Sequence, residues 1–380
     1  MAAHVIHTQG DPVMKHIRGA VLTASASPQP WAQSQPIEVR ALELREPGPG
    51  ELLVRIEAAS VCHSDLSVVN GNRPRPLPML LGHEAAGRVE AVGSDSDSAL
   101  IGRRVVMTFL PRCGVCPSCL TDGLLPCEPG SAANAAGTLM SGETRIFDGD
   151  EPIRHHLGVS GFATHAVVDA RSVVPVDDDV PPDIAALLGC AVLTGGGAVI
   201  NAGKPADGDT VAVIGLGGVG MAALLVAHAE GHRVVGIDAN EHKFAAALAA
   251  GAAECVTPQQ ALERGMRFAV VVECAGHARA FETAYQVTAA GGRTVTVGLP
   301  APDQRSEISP LTLTAEARTV IGSYLGSAVP SRDIPRYAQL WRDGKLGLEA
   351  LISATIELDD INAAMDALET GDALRQIIRF

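Results

Sequence analysis

Thr210-Val-Ala-Val-Ile-Gly-Leu-Gly-Gly-Val-Gly220 runs an apolar strand straight into a glycine-rich turn and an Ala/Leu-rich helix over 219–230. A lone G-x-G-x-x-G carries little weight, because glycines gather at many turns. Here Gly215, Gly217, Gly218 and Gly220, with Val219 between them, stand where a strand ends and a helix begins. Glycines at that junction let the chain turn tightly, approach a pyrophosphate closely and aim the helix N-terminus at it. The next apolar run, Arg233-Val-Val-Gly-Ile237, ends at Asp238. A carboxylate about 20 residues past the turn is where adenosine ribose hydroxyls are bound. It repels a 2′-phosphate, so NAD is expected rather than NADP. The competing reading of Asp238 is a cap for a helix starting at Asn240-Glu241.

Outward from that turn the chain alternates. Helix patterns at 241–250 and 278–289 separate strand patterns at 267–272 and 293–297, the last ending at Val297. Alternation of this kind predicts an α/β domain, a doubly wound parallel sheet with helices on both faces. Before it, residues 19–22, 51–57, 87–93 and 103–108 are short β-rich runs broken by Gly and Pro, which predict a mostly β, largely antiparallel domain. After Tyr324 come helix patterns at 332–343 and 359–369, and the terminal 374–380 reads as a strand returning to the first domain. The expected division is 1–191 completed by 325–380, with the dinucleotide domain at 192–324. Residues 1–16 read as a polar extension.

Six of the eight cysteines form two sets. Cys113-x₂-Cys116-x₂-Cys119-x₇-Cys127 offers four thiolates in one loop, enough to close a tetrahedral zinc and leave no open position. Cys62, His83 and Cys190 are dispersed and offer two sulfurs and an imidazole, which leaves a fourth position for water or substrate. Cys255 and Cys274 read as buried core thiols. The chain has 380 residues, 47% hydrophobic and 19% charged, with a formal net charge of -14. That charge argues against nucleic acid and anionic membranes as partners. No apolar run reaches spanning length and the N-terminus lacks a signal-peptide stretch. Thiols gathered for metal rather than disulfides predict a reducing, cytoplasmic setting.

Together, Ser60-Val-Cys62-His63-Ser64-Asp65, Gly82-His83-Glu84-Ala-Ala-Gly87, the four-cysteine loop, Gly189-Cys190, the glycine turn and Leu374-Arg375 resemble the zinc-dependent medium-chain alcohol dehydrogenases over nearly the whole chain. The resemblance implies a GroES-like catalytic domain, a Rossmann domain and two zinc ions per chain, one catalytic and one structural. Cys62, His83 and Cys190 would hold the catalytic zinc, which stabilises the alkoxide while hydride passes to NAD. Asp65 would orient His83. Glu84 reads either as an occasional zinc ligand or as a hydrogen-bonding neighbour that never coordinates. His63 and Arg375 correspond to pyrophosphate contacts and Lys243 to an adenosine-ribose contact. Ser64 corresponds to the hydroxyl that bonds the substrate oxygen. Many relatives carry a relay histidine three residues later, and this chain has Ser67. Phe109, Arg73 and Tyr324 are the candidate pocket residues, and His155-His156 read as a loop pair.

The implied activity is NAD-dependent interconversion of a primary or aromatic alcohol and its aldehyde. The alternatives are a dehydrogenase of formaldehyde or nitroso adducts of a small thiol, and a zinc-stabilised binding protein without activity. Retention of all three open-set ligands and Ser64 argues against the last. The long stretch between Cys127 and Cys190, with its Gly/Asn/Ala-rich part at 130–142, resembles that of dimeric relatives more than that of tetrameric ones.

Overall fold

The computed structural model describes residues 14–380. Of the expected extension, 1–13 lie outside that range, and 14–16 open the first strand, Met14–Leu22. The dinucleotide half is a six-stranded parallel sheet. Its order across the sheet is Glu254–Val256, Arg233–Ile237, Thr210–Ile214, Phe268–Glu273, Thr288–Thr296 and Thr319–Gly322. The first of these strands in the chain, Thr210–Ile214, therefore lies in the middle, and the strand order reverses beside it. A crevice opens at the C-terminal ends of the strands at such a reversal. The two edge strands were not expected, being short and carrying polar residues. Helix Gly218–Ala229 begins inside the glycine turn and is buried along most of its length.

The mostly β half has two layers. Met14–Leu22, Ile37–Arg45, Ile146–Asp148, Glu151–His155 and Met79–Leu80 close into a small barrel. The second layer runs Val173–Val176, Arg104–Met107, Ala85–Val92, Glu51–Val61, Arg375–Arg379 and Ile352–Ile356, with His165–Asp169 also paired to Glu51–Val61. The C-terminal strand does return to the first half. It lies antiparallel to Glu51–Val61 with Gln376 opposite Val61. That register carries Arg375 to the end of the strand where Cys62 sits.

One continuous helix, Pro182–Gly203, passes between the halves, so the expected boundary at 191/192 falls inside a helix rather than in a linker. At 22 residues and mean hydropathy 1.8 it is long and apolar enough to cross a bilayer, contrary to the sequence expectation. Within the protein its most apolar stretch is 89% buried, as a core helix would be. It holds together through Gly195-Gly196-Gly197, which propensity disfavours, because small residues are required there. A side chain at Gly197 would lie 2.2 Å from the Gly326 carbonyl oxygen.

Candidate active site

Strand Glu51–Val61 delivers Cys62, which precedes helix His63–Val69. Gly82, at φ 92°, turns the chain so that His83 and Glu84 point inward. Cys190 lies where the long helix widens into i→i+5 hydrogen bonding over Leu188–Val192, a local expansion often found at functional sites. Sγ of Cys62, Sγ of Cys190 and a ring nitrogen of His83 come within 4.8 Å of one another, all three residues buried. Cys190 Sγ and His83 Nε2 are 3.4 Å apart. Sulfur and nitrogen on a tetrahedral zinc are about 3.5 Å apart, given bond lengths near 2.3 and 2.05 Å. The donor set and its spacing fit zinc with one position open.

Asp65 is the hub behind this set. Its Oδ2 accepts from the Cys62 backbone N at 3.1 Å, and its Oδ1 accepts from the Gly82 N at 3.2 Å. The same Oδ1 meets His83 Nδ1 at 3.0 Å and His156 Nδ1 at 3.1 Å. Burial alone would raise this carboxyl, but the imidazoles of His83 and His156 outweigh it and hold Asp65 well below the usual carboxylate range. Bonding at Nδ1 leaves His83 Nε2 free to face the sulfurs, the usual way a carboxylate orients a metal-binding imidazole. His156 does lie in the loop just after strand Glu151–His155, but it is a buried loop residue turned onto Asp65. It is 1% exposed and packs edge-on to the His83 ring, centroids 5.5 Å apart.

Glu84 and Arg375 form a second buried unit. Arg375 Nε donates to Glu84 Oε2 at 3.0 Å, and Arg375 Nη2 lies 3.4 Å from Cys62 Sγ. Glu84 Oε1 accepts from the Ala191 backbone N at 2.9 Å. Burial pushes the Glu84 carboxyl up to about 7 against the pull of Arg375. The Cys190 thiol, and after it the Arg375 charge, hold the Cys62 thiol well below its ordinary range. The Arg375 guanidinium also covers Gly218, where a Cβ would meet its Nη1 at 2.0 Å. One arginine thus joins the cysteine–histidine set to the glycine turn.

The four-cysteine lobe is separate. Its sulfurs also lie within 4.8 Å of one another, and Cys113 Sγ and Cys119 Sγ are 3.9 Å apart, against about 3.8 Å for two sulfurs on a tetrahedral zinc. Backbone N–H groups of Val115 and Cys116 hold Cys113 at about 6. Cys113 N donates to Cys127 Sγ and Cys119 N to Cys116 Sγ. A loop whose amides point at its sulfurs is built for thiolates and fits a closed zinc site.

Residues 48–178 match the family described as alcohol dehydrogenase GroES-like domain, and 218–342 match that described as zinc-binding dehydrogenase. The fold matches an alcohol dehydrogenase zinc-binding domain protein from Burkholderia ambifaria at 29% identity and TM-score 0.89, covering 97% of this chain and 100% of that one. Benzyl alcohol dehydrogenase from Acinetobacter calcoaceticus matches at 28% identity and TM-score 0.87, covering 96% and 99%. Acetophenone reductase from Geotrichum candidum, solved with NAD, shares the fold at 24% identity and TM-score 0.77, covering 96% and 97%. The chain belongs to the zinc-dependent medium-chain dehydrogenases.

In this dehydrogenase a cleft of about 340 Å³ joins the two halves of the site. Cys62, His63, Ser64, Cys190 and Phe109 line it together with Gly215, Gly217, Gly218, Val219, Asp238, Lys243, Val297 and Arg375. Arg73 and Tyr324 line it as well. Gly220 does not. It lies under the turn, where a Cβ would come 1.8 Å from the Gly215 carbonyl oxygen, so its smallness serves helix–strand packing. The cap of the following helical turn is Asn240, whose side chain accepts from His242 N, so Asp238 is not the cap and instead holds the turn around it. Its Oδ1 accepts from Asn240 N at 2.8 Å, while Oδ2 meets Leu216 N at 2.6 Å and Lys243 Nζ at 3.2 Å.

Ser67 also lines the cleft, but its hydroxyl donates to the His63 carbonyl at 2.8 Å. Burial keeps His63 below its ordinary value. Cys255 and Cys274 are half-buried rather than fully buried, and Cys274 reaches the cleft. Thr194, from the long helix, lines the cleft beside Cys190 and was missed, as was His156. Neither sits in a motif, and only long-range packing brings them there.

Proposed function

We propose that this dehydrogenase interconverts a primary or aromatic alcohol and its aldehyde, with NAD as hydride acceptor. The observation that carries the reading is the single cleft in which Cys62, Ser64 and Cys190 share walls with the glycine turn and Asp238. When bound, zinc at Cys62, His83 and Cys190 would polarise the alcohol oxygen, and NAD would accept the hydride. Ser64 would hydrogen-bond that oxygen and take the first step of its proton's exit. With Ser67 tied to the backbone, His63 or water would carry the proton out, the cofactor's ribose hydroxyl being available to it when NAD is bound, and oxidation would be strongest at alkaline pH. Asp65 and His156 fix the tautomer and angle of His83. Glu84 stays a hydrogen-bonding partner, engaged by Arg375 and Ala191 N.

At the cofactor end, Asp238 and Lys243 would take the adenosine ribose. Gly217 and Gly218, with His63 and Arg375, would take the pyrophosphate. A carboxylate at 238 favours the ribose diol over a 2′-phosphate, which supports NAD over NADP. Phe109 and Tyr324 wall the substrate end, ring centroids 5.7 Å apart, consistent with an aromatic or aliphatic body. A cytoplasmic homodimer carrying two zinc ions per chain completes the reading, with a tetramer the other assembly. A panel of primary, secondary and aromatic alcohols assayed with NAD and with NADP tests it. Activity confined to secondary alcohols or to NADP would overturn it, and formaldehyde turnover only with added thiol would replace it by the thiol-adduct reaction.

A further inference from the structure

The four cations lining the cleft are His63, Arg73, Lys243 and Arg375. Lys243 is paired with Asp238 and Arg375 with Glu84. Among the described residues, the Arg73 guanidinium has neither an ion pair nor a hydrogen bond. A second guanidinium stands near it. Arg75 donates only to the Asn134 carbonyl, at 3.3 Å, and its Nε is buried without a partner. The local sequence Arg73-Pro74-Arg75-Pro76 explains the arrangement. Each arginine precedes a proline, which biases it to extended backbone, and residues two apart on an extended chain share a side.

Both charges bear on Tyr324. Burial raises its phenol above the ordinary value, and Arg73 and Arg75 pull it back. Tyr324 packs on Phe109 at 5.7 Å, and Phe109 packs on His83 at 5.7 Å. The arginines therefore stand about two aromatic rings from the reacting end. In a protein of net charge -14, a cleft-wall guanidinium at Arg73 with no carboxylate partner among the described residues, and a second guanidinium at Arg75 close by, suits an arriving anion.

Building on the proposed alcohol oxidation, we infer that the substrate carries a carboxylate at the end remote from its hydroxyl, and that Arg73, assisted by Arg75, binds it. The planar guanidinium fork matches a carboxylate in two parallel hydrogen bonds, which selects against the neutral analogue. The body between the two ends lies along Phe109 and Tyr324 and is an aromatic ring or a short aliphatic chain.

The test compares 4-(hydroxymethyl)benzoate with its carboxamide as substrates of the zinc-loaded enzyme with NAD. The expected kcat/KM ratio favours the acid by about tenfold or more, the scale of a charge-assisted hydrogen bond. The ratio falls with added salt, collapses toward one in Arg73→Met and is partly kept in Arg73→Lys. A wild-type ratio of one or less, or a ratio unchanged in both Arg73→Met and Arg75→Met, overturns the inference while leaving alcohol oxidation standing. If neither compound is oxidised, the alcohol panel decides whether alcohol oxidation stands. Calorimetric binding of the two compounds then decides the role of Arg73: acid preference lost in Arg73→Met supports it, and equal affinities overturn it.

Discussion

Replacing Asp65 by asparagine keeps the shape of the side chain and removes its charge, and the structure dictates how the amide must sit. Two hydrogen bonds, from Gly82 N and His83 Nδ1, converge on Oδ1, where His156 Nδ1 also lies 3.1 Å away, and Cys62 N donates to Oδ2. The asparagine oxygen belongs on the Oδ1 side, where Gly82 N and His83 Nδ1 donate, which turns its NH₂ onto the Cys62 N–H. That buried amide then loses its acceptor, at a cost of about 1–3 kcal/mol. The remaining bonds fall from the charged class, about 1.5–3 kcal/mol each, to the neutral class, about 0.5–1.5 kcal/mol. Allowing for relaxation, Asp65→Asn destabilises the fold by about 3 kcal/mol. Zinc at the open site weakens by about 10–100-fold, as when other such outer partners are lost. Urea unfolding measures the first, and competition with a chromophoric chelator measures the second. The four-cysteine lobe is the internal control, because its zinc release should not change. A variant within about 0.5 kcal/mol of wild type, releasing both zinc ions as wild type does, would refute the assignment of Asp65 as the hub.

Four further outcomes are expected. His155 is fully buried, and burial followed by the Arg145 charge lowers it to about 3. The unfolded chain then binds the extra proton between about pH 6.5 and 3, so this contribution is complete above 6.5 and is lost as pH falls. At about 1.4 kcal/mol per unit it amounts to about 5 kcal/mol at most, and His155→Gln should flatten the acid side of the stability–pH curve. An unchanged slope would show that His155 is not kept neutral. Gly220→Ala, facing a backbone oxygen that cannot yield, should destabilise by about 3 kcal/mol. Gly217→Ala, at φ -81° with nothing within 4 Å, should leave stability within about 0.5 kcal/mol yet weaken NADH binding; denaturation and fluorescence titration separate the two. Ser67→His places an imidazole on the cleft wall and should raise the oxidation rate near neutral pH. A pH–rate profile identical to wild type would show that the missing relay is irrelevant.

Much of the molecule was legible where chemistry is local. The apolar strand Thr210–Ile214 and its glycine turn announced the parallel sheet, and the spacing of Cys113, Cys116, Cys119 and Cys127 announced the lobe. What was not legible depends on contacts distant in sequence. Arg375 read as a pyrophosphate contact, but only its strand register against Glu51–Val61 reveals that it also braces Glu84 and Cys62. His156 is a loop residue whose burial was not legible because its partner, Asp65, lies on a different element. The helix through Gly195-Gly196-Gly197 opposes local propensity and exists because Gly326 and Tyr337 pack where side chains would be. The short edge strands Glu254–Val256 and Thr319–Gly322 form because a neighbouring strand is already in place to template them.

Alcohol oxidation at the cysteine–histidine set beside the NAD cleft is tested by NADH formation from benzyl alcohol before and after selective removal of zinc from Cys62, His83 and Cys190, followed by zinc re-addition. Turnover is expected from the protein with two zinc ions per chain, with loss when only the lobe zinc remains and return on reloading. Turnover that survives removal of that zinc, or its absence in fully loaded protein across the alcohol panel, would show that the reaction does not take place there.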